Sequence, residues 1–100
     1  YFIYNLVGVI YFKMGRILKA VTNLKRSIRL YPKNHEAYFN LGNVLAGKNK
    51  LLLAIKMYKK AIGIKPNYDK ACNNLGIALK KDGQLIESIN VLKKRTSPSR

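Results

Sequence analysis

One hundred residues make one domain's worth of chain, and at 48% hydrophobic it can bury a core. Twenty Lys and Arg against four Asp and Glu give a formal charge of +16, which attracts polyanions, acidic peptides or anionic lipid surfaces, unless the lysines simply form a solvated face. The single cysteine, Cys72, excludes an intrachain disulfide, so packing alone must hold the fold, and a reducing, cytoplasmic setting is expected.

Residues 1–12 are nearly all apolar but too few to span a bilayer, and Lys13 and Arg16 follow at once. They read as a first helix running to about Met14, with a turn at Gly15 and a return helix from Ile17 to Leu30. Tyr4, Val7, Tyr11, Ile17, Val21, Leu24 and Ile28 supply the seam, and Ala20 opposite Gly8 allows close approach. With no initiating methionine and an opening inside a helix, the chain is expected to be a piece of a longer protein.

Residues 35–68 repeat the arrangement. Tyr38, Leu41, Gly42 and Leu45 share one helical face, and so do Leu51, Ala54, Ile55, Tyr58, Ala61 and Ile62. Lys48, Asn49 and Lys50 break the two, with Asn49 expected in the left-handed region. Pro66 closes the unit. Asn34 is the expected N-cap, and His35, lacking a second histidine, is a surface or capping residue rather than a metal ligand.

A third unit opens at Asp69, capped by Asp69 or Asn67, and keeps Ala71, Leu75, Gly76, Leu79, Gly83, Leu85, Ile89 and Leu92. Cys72 stands in an aromatic position as a small buried hydrophobe. The pattern then decays: Ser88 and Arg95 replace small alanines, and 96–100 reads as a disordered basic tail.

Gly8, Gly42 and Gly76 align at a shift of 34 residues, as do Val7, Leu41 and Leu75, Ala20 and Ala54, and Pro32 and Pro66. On Tyr38, Leu41, Gly42, Ala54, Tyr58, Ala61 and Pro66 the chain resembles the tetratricopeptide repeat (TPR) family. The resemblance implies an all-α solenoid of three helix-turn-helix repeats, at 1–34, 35–68 and 69–95, the last with a degenerate second helix. It also implies a non-catalytic protein-binding role without cofactors. The residues agree: Glu36, Asp69, Asp82 and Glu87 are scattered, and no carboxylate pair, Cys/His dyad or phosphate-cradling loop occurs.

In that family the first helices line a concave surface that takes an extended peptide. Carried over, the peptide-binding positions are Asn5, Phe39, Asn40, Asn43, Lys70, Asn73, Asn74, Lys80 and Lys81, with Phe2, Leu6, Val9, Phe12, Lys13 and Ile77 among their neighbours. Asn40 and Asn74, one repeat apart, are similar to the asparagine ladder of O-linked N-acetylglucosamine transferases, with Leu6 breaking it. A carboxamide offers both donor and acceptor to a peptide backbone. The subtype that grips a C-terminal carboxylate is rejected, because only Asn40 and Lys70 match its five positions. The partner is expected to be a protein or peptide, acidic in character.

Two other classes stay open. The repeats could deliver substrate within a larger glycosyltransferase. Alternatively, Lys25, Arg26, Lys59, Lys60, Lys93 and Lys94, at equivalent second-helix positions, could form a stripe for a polyanion, with nucleic acid the less favoured partner. Finally, Phe2, Leu6, Val9 and Phe12 make the first helix apolar nearly all round, so it is expected either to be covered by another element or to form a hydrophobic pocket. The isolated chain is then expected to self-associate, and Leu6→Asn with Phe12→Lys to make it monomeric.

Overall fold

The computed structural model describes residues 2–96, with side chains at all of these except 85 and 94–96. Six helices follow one another: α1 (Phe2–Lys13), α2 (Ile17–Leu30), α3 (His35–Gly47), α4 (Leu51–Ile64), α5 (Asp69–Lys81) and α6 (Leu85–Thr96). No strand occurs among the described residues. The helices pair as α1 with α2, α3 with α4 and α5 with α6, and each second helix packs against the first helix of the next pair. The first helices α1, α3 and α5 also touch in series. The result is a three-repeat solenoid. The expected tail lies outside the described residues but for Thr96, which ends α6.

The turns within pairs repeat one device. Gly15, Asn49 and Gly83, one period apart, all take positive φ, at 77°, 60° and 85°. Only glycine and, less easily, asparagine enter that region cheaply, which is why each first helix stops there. At the ends of α2 and α4, Tyr31 and Lys65 turn to extended backbone while their N–H groups donate to the carbonyls of Ser27 and Ala61. Pro32 and Pro66 then bar continuation.

Caps differ between repeats. Asn34 caps α3 as expected, its Oδ1 accepting from the Ala37 N–H at 3.2 Å. Its Nδ2 donates to the buried Ser27 hydroxyl at 3.0 Å, which ties the end of one repeat to the start of the next. The expected cap of α5 by Asn67 or Asp69 is not formed. Tyr68 occupies that position and makes no side-chain cap bond. Its ring instead packs at 5.3 Å from Phe39 and edge-on to His35 at 5.0 Å. Asp69 lies inside the first turn, where the helix dipole favours a carboxylate.

Two clusters form a continuous core. Ala20, Leu24, Leu41 and Val44 bind repeat one to repeat two, with Tyr11, Phe12, Ile17, Val21 and Ile28 around them. Ala54, Ile55, Tyr58, Leu75, Ala78 and Leu79 bind repeat two to repeat three. The small positions are where helices meet most closely: Ala20 and Ala54 are fully buried. Ser88, their equivalent, is buried too and donates to the Gly76 carbonyl at 2.7 Å. Cys72 is half-buried rather than a core residue.

Candidate functional site

The inner face of α1, α3 and α5 carries a row of carboxamides held by one another. Asn40 Nδ2 donates to Asn5 Oδ1 at 3.0 Å, and Asn74 Nδ2 donates to Asn43 Oδ1 at 2.8 Å. The Tyr58 hydroxyl reaches through from α4 to donate to the same Asn43 oxygen at 2.6 Å. Burial of the phenol pushes its pKa up to about 12, against a smaller opposing contribution from its hydrogen bonding with Asn74. Tyr58 therefore stays a neutral donor at every physiological pH.

These bonds fix which atoms face the groove. Asn43 Oδ1 accepts two hydrogen bonds, so that side chain presents its Nδ2 hydrogens to a ligand. Asn40 and Asn74 each use Nδ2 to reach a neighbour and retain the carbonyl oxygen as an acceptor.

Two pockets open on this face. One, of about 230 Å³, is lined by Asn43, Ala46, Leu51, Tyr58, Asn74, Ile77, Ala78 and Lys81. The other, of about 170 Å³, is lined by Val9, Phe12, Lys13, Leu24, Asn40, Asn43 and Val44. Asn43 lies between them and lines both.

Of the expected peptide-binding residues, Asn5, Asn40, Asn43 and Asn74 form the paired row, and Lys81 stands at the larger pocket. Lys70, Asn73 and Lys80 are exposed on α5 but line neither pocket. Phe39 is half-buried and packs against the core that joins repeats two and three, with its ring 6.1 Å from Tyr58 and 5.3 Å from Tyr68. Tyr58 was legible only as a core aromatic. Its spacing on the buried face of α4 says nothing of a hydroxyl long enough to reach Asn43 and line the larger pocket.

The second-helix cations are exposed at Lys25, Arg26, Lys59, Lys60 and Lys93, while the side chain of Lys94 lies outside the described residues. Several are engaged. Arg26 lies over the Tyr4 ring at 4.8 Å and Lys60 over Tyr38 at 6.0 Å, the same contact one repeat on. Lys59 pairs with Glu87 at 2.9 Å. Among the described residues no cluster of potential metal ligands occurs, and no helix is long and apolar enough to cross a membrane.

Comparison with known proteins matches a TPR repeat profile to residues 8–49 and a tetratricopeptide repeat profile to residues 35–68. No curated protein sequence matches the chain. Among solved structures, a crystal structure of MamA superposes with a TM-score of 0.89 at 30% identity, covering 92% of this chain and 50% of its own. An arginine-to-glutamate mutant of MamA superposes at 0.84 with 25% identity, covering 93% of this chain and 68% of its own. The chain spans about half the length of the first of these.

Proposed function

Because the chain belongs to the tetratricopeptide repeat family, we propose that this protein-interaction module lays an extended segment of a partner protein across α1, α3 and α5. The row of mutually bonded asparagines supports this reading most directly. Their pairing holds the side chains in place in advance, so ordering them costs little on binding, and each still offers hydrogen-bonding groups to a peptide backbone. The role is one of recognition, with no catalytic step.

Amide NMR shifts on adding a labelled, unstructured peptide of Leu, Glu, Ser and Gly test the location. Shifts are expected along α1, α3 and α5, and Asn40→Ala with Asn74→Ala is expected to weaken binding about tenfold, the worth of one or two hydrogen bonds. Shifts confined to the Lys25 and Lys59 face, with a steep loss of affinity as salt rises, would instead establish the polyanion reading.

A second reading concerns the ends of the solenoid. Ile3 and Ile10 are 66% and 48% exposed, yet their repeat equivalents Ala37, Ala71, Val44 and Ala78 are buried at 0–2%. At the other end Ile89 is 60% exposed where its equivalent Ile55 is 6%. These are side chains that a neighbouring repeat covers inside the solenoid, so either a further repeat or a second copy of the chain would bury them, and the chain as given is expected to associate end to end through α1. Phe12 packs against the cluster that joins repeats one and two, so Phe12→Lys is expected to damage the fold instead of only separating the copies. Ile3→Lys with Ile10→Lys is expected to yield monomers of unchanged helix content by light scattering and circular dichroism. A wild-type chain already monomeric at high concentration rules this association out.

A further inference from the structure

The two pockets are one site repeated. Shifting Val9, Phe12, Leu24, Asn40, Asn43 and Val44 of the smaller pocket by the repeat period gives Asn43, Ala46, Tyr58, Asn74, Ile77 and Ala78 of the larger. The frame is therefore common to both, and the differences lie in the side chains that fill it. In the smaller pocket Val9, Phe12, Leu24 and Val44 make the larger part of the wall apolar, beside Lys13 and the carboxamides of Asn40 and Asn43. In the larger, Asn43 and Tyr58 stand where the smaller has Val9 and Leu24, and the Lys81 ammonium joins them. The Asn43 oxygen is already saturated, which leaves the N–H donors of Asn43, on the boundary of both pockets, for a ligand. Donors beside an ammonium suit a carboxylate, whereas apolar walls suit an aliphatic side chain.

Spacing sets the register. The smaller pocket lies between α1 and α3 and the larger between α3 and α5, one repeat apart, and packed helices stand roughly 8–10 Å apart. A polyproline-type segment advances about 3.1 Å per residue with a period of three, so residues i and i+3 face the same side about 9 Å apart. A β-strand rises roughly 3.3 Å per residue and repeats its facing every second one, which falls short at i+2 and overshoots at i+4.

We propose that these pockets read an acidic partner segment in fixed register, an aliphatic side chain in the smaller and a Glu or Asp carboxylate three residues away in the larger, beside Lys81. The charge of +16 and the exposure of Lys13, Lys70, Lys80 and Lys81 along the same helices match an acidic segment around that pair. This inference rests on binding at the concave face.

The test uses labelled peptides of Ser, Gly and Thr carrying one Leu and, as their one acidic residue, one Glu, two, three or four residues apart and in both orders. One order at a spacing of three is expected to bind about tenfold or more tightly than the others. Lys81→Glu is expected to abolish that preference, and a peptide with Lys in place of Glu to restore it, a rescue that mere loss of structure cannot give. Val9→Phe, which fills the smaller pocket, is expected to remove the dependence on Leu and leave that on Glu. Binding with groove shifts but indifferent to spacing would overturn the register and leave the concave reading standing. Failure of every peptide to shift the groove amides would remove both.

Discussion

Gly42→Ala is expected to destabilise the protein by about 2 kcal/mol, read as a fall in melting temperature of about 10 °C for a chain of this length. An added Cβ would stand 2.6 and 2.8 Å from two carbons of the Tyr58 ring, closer than real side chains approach. The ring has nowhere to go. It is 2% exposed, and its hydroxyl is tied to Asn43. Alanine's better helix propensity, worth about 1 kcal/mol, only partly offsets the clash. Gly76→Ala meets Leu92, which is half-buried on α6 and freer to turn, so its cost should be smaller. Gly63 has nothing near its absent Cβ, and Gly63→Ala should stabilise slightly. In a Tyr58→Ala background the cost of Gly42→Ala should vanish, since the two side chains compete for one space. An unchanged melt for Gly42→Ala would refute the close approach of α3 to α4, and with it the route by which the Tyr58 hydroxyl reaches the groove.

Ala54→Leu is expected to cost more than ~2 kcal/mol through overpacking. Ala54 is fully buried beside Tyr58, Leu75 and Leu79, in the cluster that joins repeat two to repeat three. Total stability for a domain of this size is of order 5–15 kcal/mol, so that loss would be a substantial fraction. Ala54→Ser, in contrast, should be nearly neutral. The equivalent Ser88 is buried, with its hydroxyl donating to the Gly76 carbonyl. A serine at 54 has the matching carbonyl of Gly42 to donate to, because Gly42 and Gly76 are themselves equivalent. If chemical denaturation shows serine as costly as leucine, polarity rather than volume limits the site.

The sequence by itself determined the period, the helix ends and the small residues at the crossings. Each is dictated by a local property: positive φ at Gly15, Asn49 and Gly83, a proline after α2 and α4, and a missing or minimal side chain at Gly42 and Ala54. Such constraints act within a few residues and recur visibly when a unit is repeated. It also named the asparagines of the groove, though as independent clamps on a ligand.

Their partners were decided only by tertiary structure. Asn40 meets Asn5 and Asn74 meets Asn43, so equivalent asparagines bond to residues that are not equivalent. Spacing along one helix cannot show this, because the choice depends on where the neighbouring helix places its own polar side chains. The same holds for Tyr68, which took an aromatic contact with Phe39 and His35 instead of leaving the cap position to an asparagine. Tyr58 shows the reason most plainly. Its ring satisfies the buried pattern of α4, while its hydroxyl, several ångströms further on, donates to Asn43 of α3 and lines the larger pocket. A residue long enough to cross a layer has two environments, and a linear pattern records only the first.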